Sequence, residues 1–171
     1  MSNREITNFF EFISGFYARR IKRIIPALII FVCLVSVLIC FFNPYSSEAL
    51  ITGGTSLWGL SNIYLLKIST NYFAESTQLN PFTNTWSLGV EEQFYFLYPL
   101  LIWFSGYGKK TRNGHKNLLI TLSFLTTISL LAFIYFYNVN QPLAYFSMPT
   151  RFWEIAVGCI LFLVLQKKKS F

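Results

Sequence analysis

The chain has 171 residues, of which 54% are hydrophobic, 19% aromatic and only 12% charged, with a net charge of +7. Soluble domains carry about 25% charged residues, so a soluble fold of this size would lack the polar side chains to cover itself, and lipid is expected as its main solvent. The basic residues gather at the ends of apolar runs instead of forming a stripe on a polar domain, which excludes nucleic acid as a partner.

The first residues, "MSNREITNFFEFISG", contain no apolar core followed by a small-residue cleavage site, so they do not read as a cleavable signal peptide. The stretch "FYARRIKRIIP" (16–26) leads into "IIPALIIFVCLVSVLICFF" (24–42), and ~20 apolar residues suffice to cross a bilayer. Pro26 reads as a first-turn residue, where its missing N–H would be unpaired anyway. Arg19, Arg20, Lys22 and Arg23 are then expected at the positive end of that helix's macrodipole, a conflict that an anion would relieve. Two readings stand here. The pair Arg20 and Arg23 holds phosphate, from lipid or from a nucleotide-like donor, or the cluster is a plain positive-inside anchor.

The next apolar run, "ALITGGTSLWGLSNIYLLKI" (49–68), is diluted by glycine, serine, threonine and asparagine and is expected either to span or to be re-entrant. Residues 69–84 carry Glu75 and no lysine or arginine, which suits an outside location. Further spans are expected at 86–104, 117–137 and 152–166, the last ending in lysines that can snorkel. Placing all three basic clusters (19–23, 109–116 and 167–169) in the cytoplasm requires 49–68 to be re-entrant; a full span breaks the positive-inside rule at the second cluster. The expected class is an all-α, multi-pass membrane protein with four to five transmembrane helices. Cys33, Cys40 and Cys159 lie within apolar runs without metal-ligand spacing, so no metal site is expected.

Charges inside "WSLGVEEQFYFLYPLLIWF" need a reason. In a helix starting near Trp86, Glu91 and Glu92 lie ~8–9 Å down from its first residue, and intramembrane ionisable groups usually face a bundle interior or a watery cavity. Glu91 shares a face with Tyr95 and Tyr98, while Glu92 points about 100° away. They line a pocket, or they hold helices together. Arg151 and Glu154 are spaced for a local ion pair of small energy. His115 is expected as a solvated loop residue. No Ser-His-Asp set exists, because the chain has no aspartate.

Three stretches, "FYARRIKRIIPAL", "NPFTNTWSLGVEEQFYFLYPLL" and "PTRFWEIAVG", resemble in order and spacing three signatures of the acyltransferase 3 family, multi-helix inner-membrane proteins that O-acylate surface polysaccharides. The resemblance covers nearly the whole chain from Phe16. It implies acyl-CoA (acetyl-CoA) as a cytoplasmic donor, with no other cofactor. It also implies donor phosphates on Arg19, Arg20 and Arg23, Glu91 and Glu92 in the catalytic role, and a pocket that includes Asn84, Trp86, Ser87, Tyr95, Arg151 and Glu154. Membrane lipid and a polysaccharide acceptor are the implied partners. The family resembles a ten-helix bundle. Residues 1–171 correspond to a middle segment of it, without the helices to which the family's catalytic histidine is ascribed, and many members carry histidine where this chain has Asn84. Asparagine cannot shuttle a proton near neutral pH. The expectation is a partial membrane domain, inactive alone and completed by the remaining parts of the same enzyme. A non-catalytic membrane subunit and a small transporter using the glutamate stripe are the alternatives.

Overall fold

A computed structural model describes residues 9–42, 47–68, 80–109 and 111–169, with side chains through 166. All regular structure among them is helical: α1 Phe9–Phe42, α2 Ser47–Ser56, α3 Ser61–Ile68, α4 Thr85–Phe104, α5 Gly114–Val139, α6 Gln141–Phe146 and α7 Met148–Lys169. Three runs are long and apolar enough to cross a membrane: Phe9–Phe42, Gly114–Val139 and Gln141–Gln166, the last combining α6 and α7. Their outward side chains are apolar, among them Leu34, Phe41, Phe124, Leu131 and Phe162, the reverse of a soluble surface. This is a membrane protein.

Two expectations about the helices are corrected. The first helix starts at Phe9, not near Ile24, and Pro26 lies well inside it. A proline in mid-helix removes one backbone hydrogen bond, a loss that membrane helices tolerate. The arginine cluster therefore sits in mid-helix, and the macrodipole argument does not apply to it. Residues 49–68 likewise do not form one helix. They divide into α2 and α3 around Gly59, whose φ of 66° suits a residue without Cβ.

Helices α1 and α4 run antiparallel along a continuous register. The rings of Phe9 and Phe12 lie 5.3 and 5.9 Å from Trp103. Further along, the Tyr17 hydroxyl donates to the Phe96 carbonyl at 2.8 Å, and Phe31 meets Phe82 edge-on at 5.7 Å. Helices α5 and α7 are antiparallel too. His115 Nε2 is 3.2 Å from the Leu163 carbonyl. The Ser129 hydroxyl donates to the Pro149 carbonyl at 2.6 Å and accepts from the Trp153 N–H at 3.1 Å. The turn after α4 meets the far end of α7, where the Tyr107 hydroxyl donates to Gln166 Oε1 at 2.9 Å. The main core, including Leu65, Phe94, Leu118, Phe146 and Phe152, lies where α3 to α7 converge.

The α2–α3 elbow is joined to α4 by a buried amide network. Gln93 Nε2 donates to Asn62 Oδ1 at 2.9 Å and to the Gly59 carbonyl at 3.3 Å, while Asn62 Nδ2 donates to the Phe146 carbonyl at 3.0 Å. Asn62 is 1% exposed, so these bonds replace the water it loses. Gly89 permits the approach: a Cβ there would lie 2.7 Å from Asn62 Oδ1 and 3.2 Å from the Gly59 carbonyl.

Adding that Cβ must displace the elbow. Gly89→Ala should lower stability by about 1–3 kcal/mol through overpacking. Gly158→Ala, where a Cβ meets nothing within 4 Å, should be neutral or gain up to ~1 kcal/mol from helix propensity. Thermal unfolding of both variants in detergent checks the contrast; equal midpoints would refute the close approach.

Candidate functional site

The charged residues of α1 meet those of α4 one helical turn beyond Tyr17. Arg20 Nη2 lies 3.8 Å from Glu91 Oε2, and the Arg20 guanidinium lies over the Tyr95 ring, 2.9 Å from its centroid. Glu91 and Tyr95 are four residues apart and share a face of α4, so one arginine caps both. The pair is partly accessible, with side-chain exposures of 21% for Arg20 and 47% for Glu91. Arg20 Nε is buried without a hydrogen-bond partner among the described residues.

Glu92, one residue on, turns to the other side. It lines a cavity of about 180 Å³ with Ile24, Ile25 and Leu28 of α1 and Ser56 to Gly59 of the elbow. Among the described residues it enters no ion pair. The two glutamates thus occupy different settings. Glu91 is matched to a cation, and Glu92 sits in a small, mostly apolar recess.

A second cation lies near the N-termini of α4 and α7. Arg151 pairs with Glu154 at 2.8 Å, the local i,i+3 pair expected from spacing. Its guanidinium also lies beside the touching rings of Trp86 and Tyr145, 5.1 and 4.8 Å from their centroids. Such cation–π contacts are worth ~0.5–2 kcal/mol, more than the spacing alone implied.

Other expected site residues are not brought together. Arg19 and Arg23 are exposed, and of the cationic cluster it is Arg20 that pairs with α4 among the described residues. Asn84 and Ser87 are exposed as well, and the Ser87 hydroxyl donates to the Asn84 carbonyl within the first turn of α4. His115 is not a loop residue but part of α5, half-buried against α7. The loop 69–79 with Glu75, Lys110 and the side chains of 167–169 lie outside the described residues. Among the described residues no three His, Cys or Glu side chains gather into a metal-binding group.

Sequence reasoning missed Asn62 and Gln93. Asn62 counted only as polar dilution of an apolar run. Gln93 follows the glutamates inside an apolar helix, and an amide there needs a buried partner as surely as a carboxylate does. That was the available signal.

Comparison with known proteins assigns the chain. The acyltransferase domain of the acyltransferase 3 family matches residues 9–171. The O-acetyltransferase OatA of Staphylococcus aureus is 32% identical over 151 residues, covering 85% of this chain and 24% of the relative. Bacillus subtilis YrhL, whose name provisionally makes it a peptidoglycan O-acetyltransferase, is 31% identical over 159 residues, covering 90% of this chain and 24% of YrhL. An uncharacterised protein of Haemophilus influenzae is 35% identical, with 85% of this chain and 61% of that protein covered. The chain thus spans about a quarter of the length of the named relatives. No solved structure matches it. With a match running from Phe9 to the last residue, the chain belongs to the acyltransferase 3 family.

Proposed function

We propose that this chain forms part of a membrane O-acyltransferase that moves an acetyl group from cytoplasmic acetyl-CoA to hydroxyls of a cell-surface polysaccharide. The observation that carries the reading is the Arg20–Glu91–Tyr95 cluster, a cation and a carboxylate held together at partial exposure on the face of α4. Arg20, whose side chain is partly exposed, offers its guanidinium to the anionic donor, with Arg19 and Arg23 exposed nearby to add positive charge. Glu91 takes the proton of the acceptor hydroxyl, a role typically worth ~10²–10⁴-fold in rate. Glu92, in its apolar recess, is the second carboxylate and shapes the wall between α1 and the elbow.

The proposed setting is the inner membrane. Helix α4 is a fourth span, because its 20 residues reach ~30 Å. The α2–α3 elbow is re-entrant, a reading supported by the chain's return: after α3, Asn80 Nδ2 donates to Thr52 Oγ1 in α2 at 2.9 Å. The contacts of Trp103 with Phe9 and of Tyr107 with Gln166 support one common side for the three basic clusters.

Two experiments test this. A cysteine placed at Asn113, with the native cysteines replaced, should resist an impermeant thiol reagent applied from outside; ready labelling would reverse the proposed side. Residues 9–166 grafted in place of the matching segment of the Staphylococcus aureus relative should support acetyl incorporation into cell-wall glycan. Glu91→Gln in that chimera should lower incorporation by about a hundredfold or more, with Glu92→Gln less severe. Full activity of Glu91→Gln would remove Glu91 from the chemistry.

A further inference from the structure

In the transfer proposed above, the acyl C–S bond breaks as a C–O bond forms to the acceptor oxygen. The hydroxyl proton passes to Glu91, and CoA leaves as its thiolate. That chemistry places the acyl carbon one hydroxyl away from Glu91. The remaining carbons of the acyl group must lie close by, in a space that asks for no hydrogen bonds from them.

The recess beside Glu92 meets that requirement. It begins at Ile24, one turn beyond Arg20 on the same side of α1, and continues to Leu28. Arg20 borders it, pairing with Glu91 while its charge also acts on Glu92. The cavity of about 500 Å³ lined by Phe12, Ile102 and His115 is too distant, because Ile102 stands ~16 Å from Glu91 along α4.

The lining suits an alkyl group. Ile24, Ile25, Leu28 and Leu57 present hydrocarbon, and Trp58 adds an indole ring. The polar atoms of the elbow are already used. The Ser56 hydroxyl donates to the Gly53 carbonyl at 2.6 Å, and the Gly59 carbonyl accepts from Gln93 at 3.3 Å. A Cβ on Gly59 would lie 3.0 Å from Glu92 Cβ, so the stem of Glu92 closes the recess where α4 meets the elbow.

Volume sets the length. The recess holds about 180 Å³, the space of about six waters at ~30 Å³ each. A methylene is of similar size, so an acetyl methyl would leave most of the recess without contacts. A full-length lipid tail would not fit.

We propose that this recess is an acyl pocket and that it favours short straight-chain acyl groups of about four to six carbons over acetyl. The proposal rests on the donor reading above and adds the size of the transferred group. The thioester sits by Arg20, and the tail continues along α1 past Ile24 to Leu28. Each methylene moved from water into the recess strengthens binding roughly fourfold.

The test titrates the 171-residue protein in nanodiscs with CoA and with its acetyl, butyryl, hexanoyl and lauroyl thioesters. Affinity should rise roughly tenfold from acetyl to butyryl and level off or fall beyond hexanoyl. Ile25→Phe, which fills part of the recess, should bring butyryl-CoA down to the affinity of acetyl-CoA and leave CoA itself unchanged. Ile25→Ala should move the optimum to a longer chain, a shift that lost packing alone does not produce. Thermal midpoints check folding, and if Ile25→Phe does not fold, the Ile25→Ala shift decides alone. CoA binding without chain-length preference, or with one that neither variant moves, would overturn the pocket and leave the donor reading standing. An affinity that climbs through lauroyl-CoA, and does so equally in empty nanodiscs, would assign the rise to lipid and overturn the proposal. Binding of neither CoA nor any thioester would remove both readings.

Discussion

The contact between the elbow and α4 sets the geometry of everything around it. Where Gly89 faces Asn62 there is no room for a side chain, and the amide of Gln93 closes the gap with hydrogen bonds to Asn62 and Gly59. An unpaired amide buried at this depth would cost several kcal/mol. The network therefore fixes both the distance and the rotation of α4 relative to the elbow. That rotation decides that Glu91 meets Arg20 while Glu92 turns into the recess by Gly59. Two adjacent carboxylates are separated by one helix's orientation.

The "WSLGVEEQFY" run then reads as a set of contacts made on different sides of a single helix. Trp86 receives Arg151 and Tyr145, and Gly89 and Gln93 receive the elbow. Glu91 and Tyr95 receive Arg20, and Phe94 packs on Phe152. Few positions are left to face lipid freely. Helix α4 is less apolar than its neighbours for this reason, and it depends on α1, α3 and α7 to satisfy its polar groups.

Much of this was legible in the sequence, and the failures have physical causes. The helical class and the apolar runs followed from hydropathy, and the cost of charge in lipid pointed to a partner for Glu91 inside the bundle. The Arg151–Glu154 pair followed from i,i+3 spacing. Hydropathy misplaced the start of α1, because the residues before Arg19 are aromatic and mixed, and packing against Trp103 and Phe96 extends the helix over them. For the 49–68 run a span and a re-entrant path both stayed open, because composition does not register that Gly59 takes a positive φ and divides the run into two helices. His115 looked solvated because its partner, the Leu163 carbonyl, lies 48 residues away. Pairings across the bundle, such as Arg20 with Glu91 or Asn62 with Gln93, depend on helix rotation, and that was not visible in any local pattern.

The length of α1 carries a consequence of its own. Its 34 residues extend ~51 Å, against a hydrocarbon core of ~30 Å. A helix that long must tilt, project or do both. The freedom to slide is nonetheless limited, because the turn with Arg19, Arg20, Lys22 and Arg23 cannot enter hydrocarbon cheaply, and Arg20 is tied to a fixed height on α4. Membrane thickness is therefore a variable that acts directly on this pair. A thicker bilayer pulls the cationic turn toward the centre, where it is least tolerated, and a thinner one relieves it. The same sequence should hold its arginine against Glu91 most readily in the thinner of two membranes.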